Sequence, residues 1–262
     1  MRQKSNLSIL IPAVLLITLA VPWQAHSHFG MVIPSVPVLS EQNRPVDVAL
    51  SFSHPFEFIG MELDIPKRFF MVSSGQQTDL LDSLQPANIM GSSGYTYRFT
   101  PSRPGVYQFV MEPQPYWEPL ENRFIIHYTK TVVSIFEAED GWQEPVGLPV
   151  EIRPLLRPFG NYRGNSFVGQ VLVNGKAAAH AEVEVEYYDK DQRFQAPTGP
   201  HITQMVIADA NGIFTFSCPL GGWWGFASLS LADYKIPGPK GDDKEVELGA
   251  VLWIFMDEYQ RR

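Results

Sequence analysis

Apolar and polar residues alternate in short stretches along most of this chain, and turn residues separate them. Val46-Asp47-Val48-Ala49-Leu50-Ser51-Phe52 has the period of two that places alternate side chains on opposite faces of a sheet. Tyr95 to Phe99 repeats the pattern, and Gly105 to Val110 follows a Pro-Gly turn. Phe124 to Tyr128 and Lys130 to Phe136 complete a first set of strands. One short helical turn is expected within Thr78 to Leu84. The 22 prolines and 20 glycines are spread throughout, which leaves no room for long helices. The pattern predicts an all-β chain of two β-sandwich domains.

The first set reads as an immunoglobulin-like sandwich over residues 28–136. Glu137-Ala138-Glu139-Asp140-Gly141 is polar and marks a boundary, and residues 137–165 form a linker and the first strand of the next domain. The second domain, residues 166–262, has a strand from Phe167 that ends in the turn Asn174-Gly175. Ala181 to Tyr188 alternates, with Val183, Val185 and Tyr187 on one face and Glu182, Glu184 and Glu186 on the other, a row expected to face solvent. Ile202 to Ala208 and Ile213 to Phe216 flank the turn Asp209-Ala210-Asn211-Gly212 and are expected to form a hairpin. The Gly-x-Val strand and Asp209-x-x-Gly212-x-Phe214-x-Phe216 resemble the transthyretin-like, carboxypeptidase-regulatory type of sandwich. Pro113 to Pro119 and Gly221 to Phe226 are aromatic segments bounded by Pro or Gly, expected as loops, with the pair Trp223-Trp224 buried.

Composition adds an address. Met1-Arg2-Gln3-Lys4 is a basic head, and Leu7 to Val21 is an apolar run broken by Pro12. A span needs about 20 residues, so residues 1–27 read as a secretory signal, and a periplasmic or secreted location is expected. No membrane span is expected after its removal. Cys218 is the only cysteine, which excludes an intramolecular disulfide. A net charge of −8 argues against nucleic acid as a partner. The chain has no Gly-x-Ser-x-Gly elbow, no His-Glu-x-x-His and no phosphate loop, and no catalysis is expected.

The histidines carry the candidate chemistry. Signal peptidase favours small residues one and three positions before its cut. Cutting after Ser27 satisfies this with Ala25 and Ser27, and makes His28 the first residue. Cutting after Ala25 leaves His26-Ser27-His28 at the front, and cutting after Ala20 yields neither. An amino-terminal histidine chelates one metal ion through its amine and its ring, which suits Ni, Co or Cu. His54, at a strand end before Pro55, and His127, within a strand, could add nitrogens. Glu57 lies three residues beyond His54 and could serve as a further ligand or as an orienting group. His180 and His201 read as loop histidines.

These stretches resemble the periplasmic accessory component of nickel and cobalt ABC transport systems of the energy-coupling-factor type. The resemblance rests on His28-Phe29-Gly30-Met31-Val32-Ile33-Pro34-Ser35, His54-Pro55-Phe56-Glu57, Pro113-x-Pro115-Tyr116-Trp117-Glu118-Pro119 and Phe124-Ile125-Ile126-His127. It continues through Arg157-Pro158-Phe159-Gly160 and Gly221-Gly222-Trp223-Trp224-Gly225-Phe226. The ligands expected from the residues themselves are His28, His54, His127 and Glu57, with Cu2+ as a further candidate metal, in a chain expected to be a monomer. The resemblance implies an extracytoplasmic protein that captures Ni2+ or Co2+. It also implies delivery to the membrane subunit of a transporter. Two other readings compete. A copper-binding protein or oxidase with a histidine brace would use the same ligands, and a structural surface protein would bind no metal.

Overall fold

The computed structural model describes residues 27–40 and 44–260, so the predicted signal lies outside the described residues except for Ser27. The described residues form twenty strands. The first ten are β1 (Phe29–Pro34), β2 (Val38–Leu39), β3 (Val46–His54), β4 (Ile59–Met61), β5 (Arg68–Ser73), β6 (Gln76–Asp79), β7 (Gln85–Ile89), β8 (Ser92–Phe99), β9 (Gly105–Glu112) and β10 (Tyr116–Glu118). The rest are β11 (Arg123–Ile135), β12 (Val150–Pro154), β13 (Asn161–Tyr162), β14 (Ser166–Val173), β15 (Lys176–Ala177), β16 (Glu182–Tyr187), β17 (Thr203–Ile207), β18 (Ile213–Ser217), β19 (Gly222–Pro237) and β20 (Asp243–Asp257). The predicted helical turn is a single turn of 3-10 helix at Leu81–Ser83.

Three sheets stack as layers. An 11-stranded central sheet runs β17-β16-β19-β20-β11-β9-β5-β6, with β2, β10 and β13 attached to its members. A five-stranded sheet of β1, β3, β8, β7 and β4 covers one face of it, and a four-stranded sheet of β12, β14, β15 and β18 covers the other. The alternation along β11 shows how one strand serves both cores. Ile125, Val133 and Ile135 enter the core beneath the five-stranded sheet, whereas Ile126, Tyr128 and Val132 enter the core beneath the four-stranded sheet. Strand β20 divides in the same way: Val246, Leu248, Ala250, Leu252 and Ile254 join the second core, and Val251 and Trp253 pack against Phe29 and Met31 on the first face.

The chain is therefore all-β and built of sandwiches, as the alternation predicts. The central sheet crosses the predicted boundary near residue 136 without interruption. The end of β11 pairs antiparallel with β9, from Val132 with Gln108 to Ile135 with Gly105, while its first part pairs parallel with β20, from Phe124 with Val246 to Thr131 with Trp253.

Three local expectations are corrected. The turn at Asp209–Gly212 forms, with the Asp209 amide donating to the Ile213 carbonyl at 2.8 Å. Its flanking strands do not make a hairpin: β17 joins the central sheet beside β16, and β18 joins the four-stranded sheet beside β14. The turn thus carries the chain between layers. Gly222 to Phe226 is not a loop but the start of β19, and its two tryptophans are buried there, as expected. Tyr116 to Glu118 is likewise strand, paired with β11 from Tyr116 with Ile125 to Glu118 with Arg123.

Candidate functional site

The site is built where β1 lies across the central sheet. Gly30 rests on β11 so closely that an added Cβ would stand 2.2 Å from the Thr129 hydroxyl and 3.0 Å from the His127 Cβ. Its amide donates to Nδ1 of His127 at 3.3 Å, and its carbonyl accepts from the Trp253 indole at 2.8 Å. Thr131 donates to the Val32 carbonyl one step along. These bonds hold the first described residues, Ser27 and His28, over the junction of β11, β20 and β16.

His28 sits among aromatic rings. Its ring stacks on Phe52 at 5.6 Å between centroids and lies 4.9 Å from the ring of His54. On its other side Nε2 is 3.2 Å from Oε2 of Glu118. Glu118 is buried, and its second oxygen accepts from the Leu120 amide at 3.0 Å, so the carboxylate is held in one orientation. A carboxylate only accepts, so Nε2 of His28 carries a proton, and when the ring is neutral the lone pair is on Nδ1. His54 is fixed by a different rule. Its Nδ1 is 2.9 Å from the Ser27 carbonyl, which accepts, so Nδ1 carries a proton and in the neutral ring the lone pair is on Nε2.

The four residues predicted for a metal site are not equivalent. His28 and His54 come together. His127 lies beneath them, edge-on to Phe52 at 5.5 Å and 2% exposed. Burial, and then the neighbouring His28, lower its pKa to about 3, so the ring is neutral. Because Nδ1 accepts from Gly30, the proton is on Nε2, which is buried against Gly249 without a hydrogen-bond partner. In this packing His127 offers a donor, not a metal lone pair. Glu57 lies in the turn after β3, close enough to Glu186 for its charge to act there. The carboxylate set against His28 is Glu118, from the aromatic segment expected as a loop. Its signal in the sequence was the Pro-x-Pro-Tyr-Trp-Glu-Pro motif, which carried no hint of which side chain faced the histidines.

The row Glu182, Glu184 and Glu186 is not a plain solvated face. It shares the sheet face of His127, and the segment around Ser27 and Phe56 roofs part of it. Glu184 accepts from the Ser27 hydroxyl at 2.7 Å, and burial raises its pKa. Glu186 is buried, accepts from the Phe56 amide and the Thr203 hydroxyl, each at 3.0 Å, and burial lifts its pKa to about 8. Period-two alternation separates two faces but does not say what covers either. Ser27, His28, His127, Glu121, Glu184, Leu229 and Glu247 line a cavity of about 210 Å³. Burial raises the Glu247 pKa as well, although Arg123 donates to it at 3.0 Å.

Among the described residues no three His, Cys, Asp or Glu side chains converge into a ready-made ion cage. Cys218 is buried and its thiol pKa is raised by burial, so it takes no part. No helix among the described residues is long and apolar enough to cross a membrane.

Comparison with curated proteins gives no match. Among solved structures the chain is similar to the D0-D1 domain of intimin, at 10% identity and TM-score 0.25 over 86% of this chain and 99% of that one. It is also similar to a two-domain fibronectin type-III segment of chicken tenascin, at 14% identity and TM-score 0.22 over 86% and 99%. A tandem of titin immunoglobulin domains gives 9% identity and TM-score 0.21 over 88% and 100%. These superpositions are loose, and the fold rests on the sheets themselves. The model of one family, a domain of unknown function designated DUF4198, matches residues 25–231, and the chain belongs to that family.

Proposed function

We propose that this chain is an extracytoplasmic metal-binding protein that begins at His28 once its signal is removed, and that it captures Ni2+ or Co2+ for delivery to the membrane subunit of a transporter. One observation carries the reading: Glu118 holds Nε2 of His28 at 3.2 Å, so that in the neutral ring Nδ1 is the nitrogen with the lone pair. Nδ1 is the nitrogen that closes a six-membered chelate with the amine of the same residue. That amine exists only after the Ser27–His28 peptide bond is cut, which is why the side chains alone make no cage.

The remaining geometry supports a third nitrogen. His54 contacts the carbonyl of that same peptide bond, so processing removes the group this ring touches and creates the amine beside it. An amine and two imidazoles form a nitrogen set suited to late divalent metals. His127 acts through Gly30, anchoring β1 and hence the terminus. Copper binds such sets more tightly than nickel or cobalt, so the metal carried depends on supply as well as on the ligands.

The test is a calorimetric titration of protein starting at His28 with Ni2+, Co2+, Cu2+ and Zn2+, beside protein that retains Ser27. Tight binding by the first alone is expected. Equal binding by both, or binding by neither, would overturn the reading. The intact mass of the exported protein must also show His28 as its first residue.

A further inference from the structure

Beyond the roof formed by β1 and the turn after β3, the central sheet presents an uncovered patch on the same face as the acidic cavity. Each carboxylate that lines the cavity has a large exposed apolar neighbour. Met205 pairs with Glu184 across β17 and β16, and Leu231 pairs with Glu247 across β19 and β20. Leu120 directly precedes Glu121. Met205, Leu231 and Leu120 are 57%, 58% and 69% exposed, and Ile207, opposite Glu182, is 63% exposed. Paired residues on adjacent strands lie on one face within about 5 Å, so apolar and acidic groups interleave across this patch.

The border of the patch is unusual as well. β17 ends the central sheet and pairs with β16 alone among the described residues. Its sequence, Thr203-Gln204-Met205-Val206-Ile207, has no charge and no proline. The opposite edge, β6, is Gln-Gln-Thr-Asp and polar throughout. Soluble proteins guard edge strands with charge, proline or a covering segment, and an apolar edge with none of these accepts another strand.

We propose that this face docks an extended segment of a partner protein, which adds to β17 and presents apolar side chains to Met205 and Ile207 and a lysine or arginine to Glu184. The acidic neighbours decide the occupant. They favour a cationic peptide and oppose an anionic lipid surface, and a second copy would bring its own carboxylates against these. The proposal deepens the metal-delivery reading, because the docked segment would lie at the mouth of the cavity beside His28.

The experiment uses protein starting at His28, free of metal, and the eight-residue peptide Leu-Thr-Lys-Thr-Leu-Thr-Lys-Thr, whose period of two puts leucine and lysine on one face. Hydrogen exchange and a binding titration are read together. Saturable binding is expected, with exchange at residues 203–207 slowed at least tenfold. Binding should weaken at least tenfold in the double variant Met205→Ser, Ile207→Ser and in Glu184→Gln. Any of several results overturns the proposal: equal binding of the same peptide with glutamate in place of lysine, no added protection at 203–207, or affinity unchanged in both variants. Preferential binding to phosphatidylcholine vesicles containing phosphatidylglycerol overturns it too, as does self-association that the serine variant abolishes. Metal titration of the serine variant keeps the two readings apart. It should match the parent, so failure of docking and failure of metal binding are seen separately.

Discussion

Nε2 of His28 stands 3.2 Å from Oε2 of Glu118, and the contact joins the start of the described chain to a three-residue strand almost ninety positions later. It fixes which nitrogen of the neutral ring carries the lone pair that the proposed chelate uses. Glu118→Gln keeps the size of the side chain but weakens the acceptor. Metal affinity of the processed protein should fall about tenfold, the lower end for loss of a group that orients a ligand. Calorimetry checks the affinity, and an unchanged melting temperature shows that the fold is intact.

His54 and His127 should separate under mutation. His54→Ala removes a proposed ligand that is half-buried at a strand end, so affinity should drop at least tenfold with little change in stability. His127→Ala leaves a cavity beneath β1 and the Gly30 amide without its acceptor. A loss of about 2–3 kcal/mol is expected from those two effects. Urea unfolding of both variants without metal tests the difference. If His54→Ala were the less stable of the two, the assignment of roles would be reversed.

Gly30→Ala should be more damaging than its size suggests. The new methyl would meet Thr129 Oγ1 at 2.2 Å, and Thr129 is itself buried and donating to the His127 carbonyl at 3.0 Å. Neither strand can yield without breaking the bonds from Trp253 and Thr131 to β1. Overpacking of this kind costs about 1–3 kcal/mol. Thermal unfolding should show it, and metal affinity should fall in parallel because the terminus is displaced.

Glu186 predicts how stability varies with pH. Its folded pKa of about 8 lies above the ordinary 4.5, so the folded state holds the proton more tightly. Its contribution is fully present below pH 4.5 and is lost as pH rises through 8, by about 1.4 kcal/mol per unit. His127 has the opposite sign. Its contribution is present above pH 6.5 and is lost as pH falls through 3. Between 4.5 and 6.5 the two slopes oppose one another, and above 6.5 that of His127 vanishes while that of Glu186 continues. Stability should therefore fall by roughly 2 kcal/mol from pH 6.5 to 8, and Glu186→Gln should flatten that fall. Urea unfolding at both pH values checks it.

Much of the fold was legible because alternation is a local property. Val46 to Phe52, Tyr95 to Phe99 and Glu182 to Tyr187 each show their two faces within a few residues. The layer contacts were not legible in the same way. Nothing near Phe124 indicates that Val246 is its neighbour, and nothing in Glu184 and Glu186 indicates that Ser27 and Phe56 cover them. The turn at Asp209 was read correctly from its glycine, but the paths of its flanking strands depend on β16 and β14, which lie elsewhere in the chain. Chemistry singles out His28 and His54 as candidates in the sequence. It does not single out Glu118, because carboxylates are common and only a folded sheet shows which one faces a given ring.

The divided pairing of β11 has a consequence for how this molecule is made. A chain synthesised from its amino terminus delivers β9 early, so the end of β11 can pair at once. The first part of the same strand must wait for β20, the last strand to emerge. Until Val246 reaches Phe124, the apolar flank of β11 stands open to aggregation and to proteases. Parallel pairing over so long an intervening loop is slow to nucleate. Assembly should therefore pass through a species whose front half is ordered and whose closing strand is not, and a shortened chain lacking β20 should remain there, as prey for quality-control proteases.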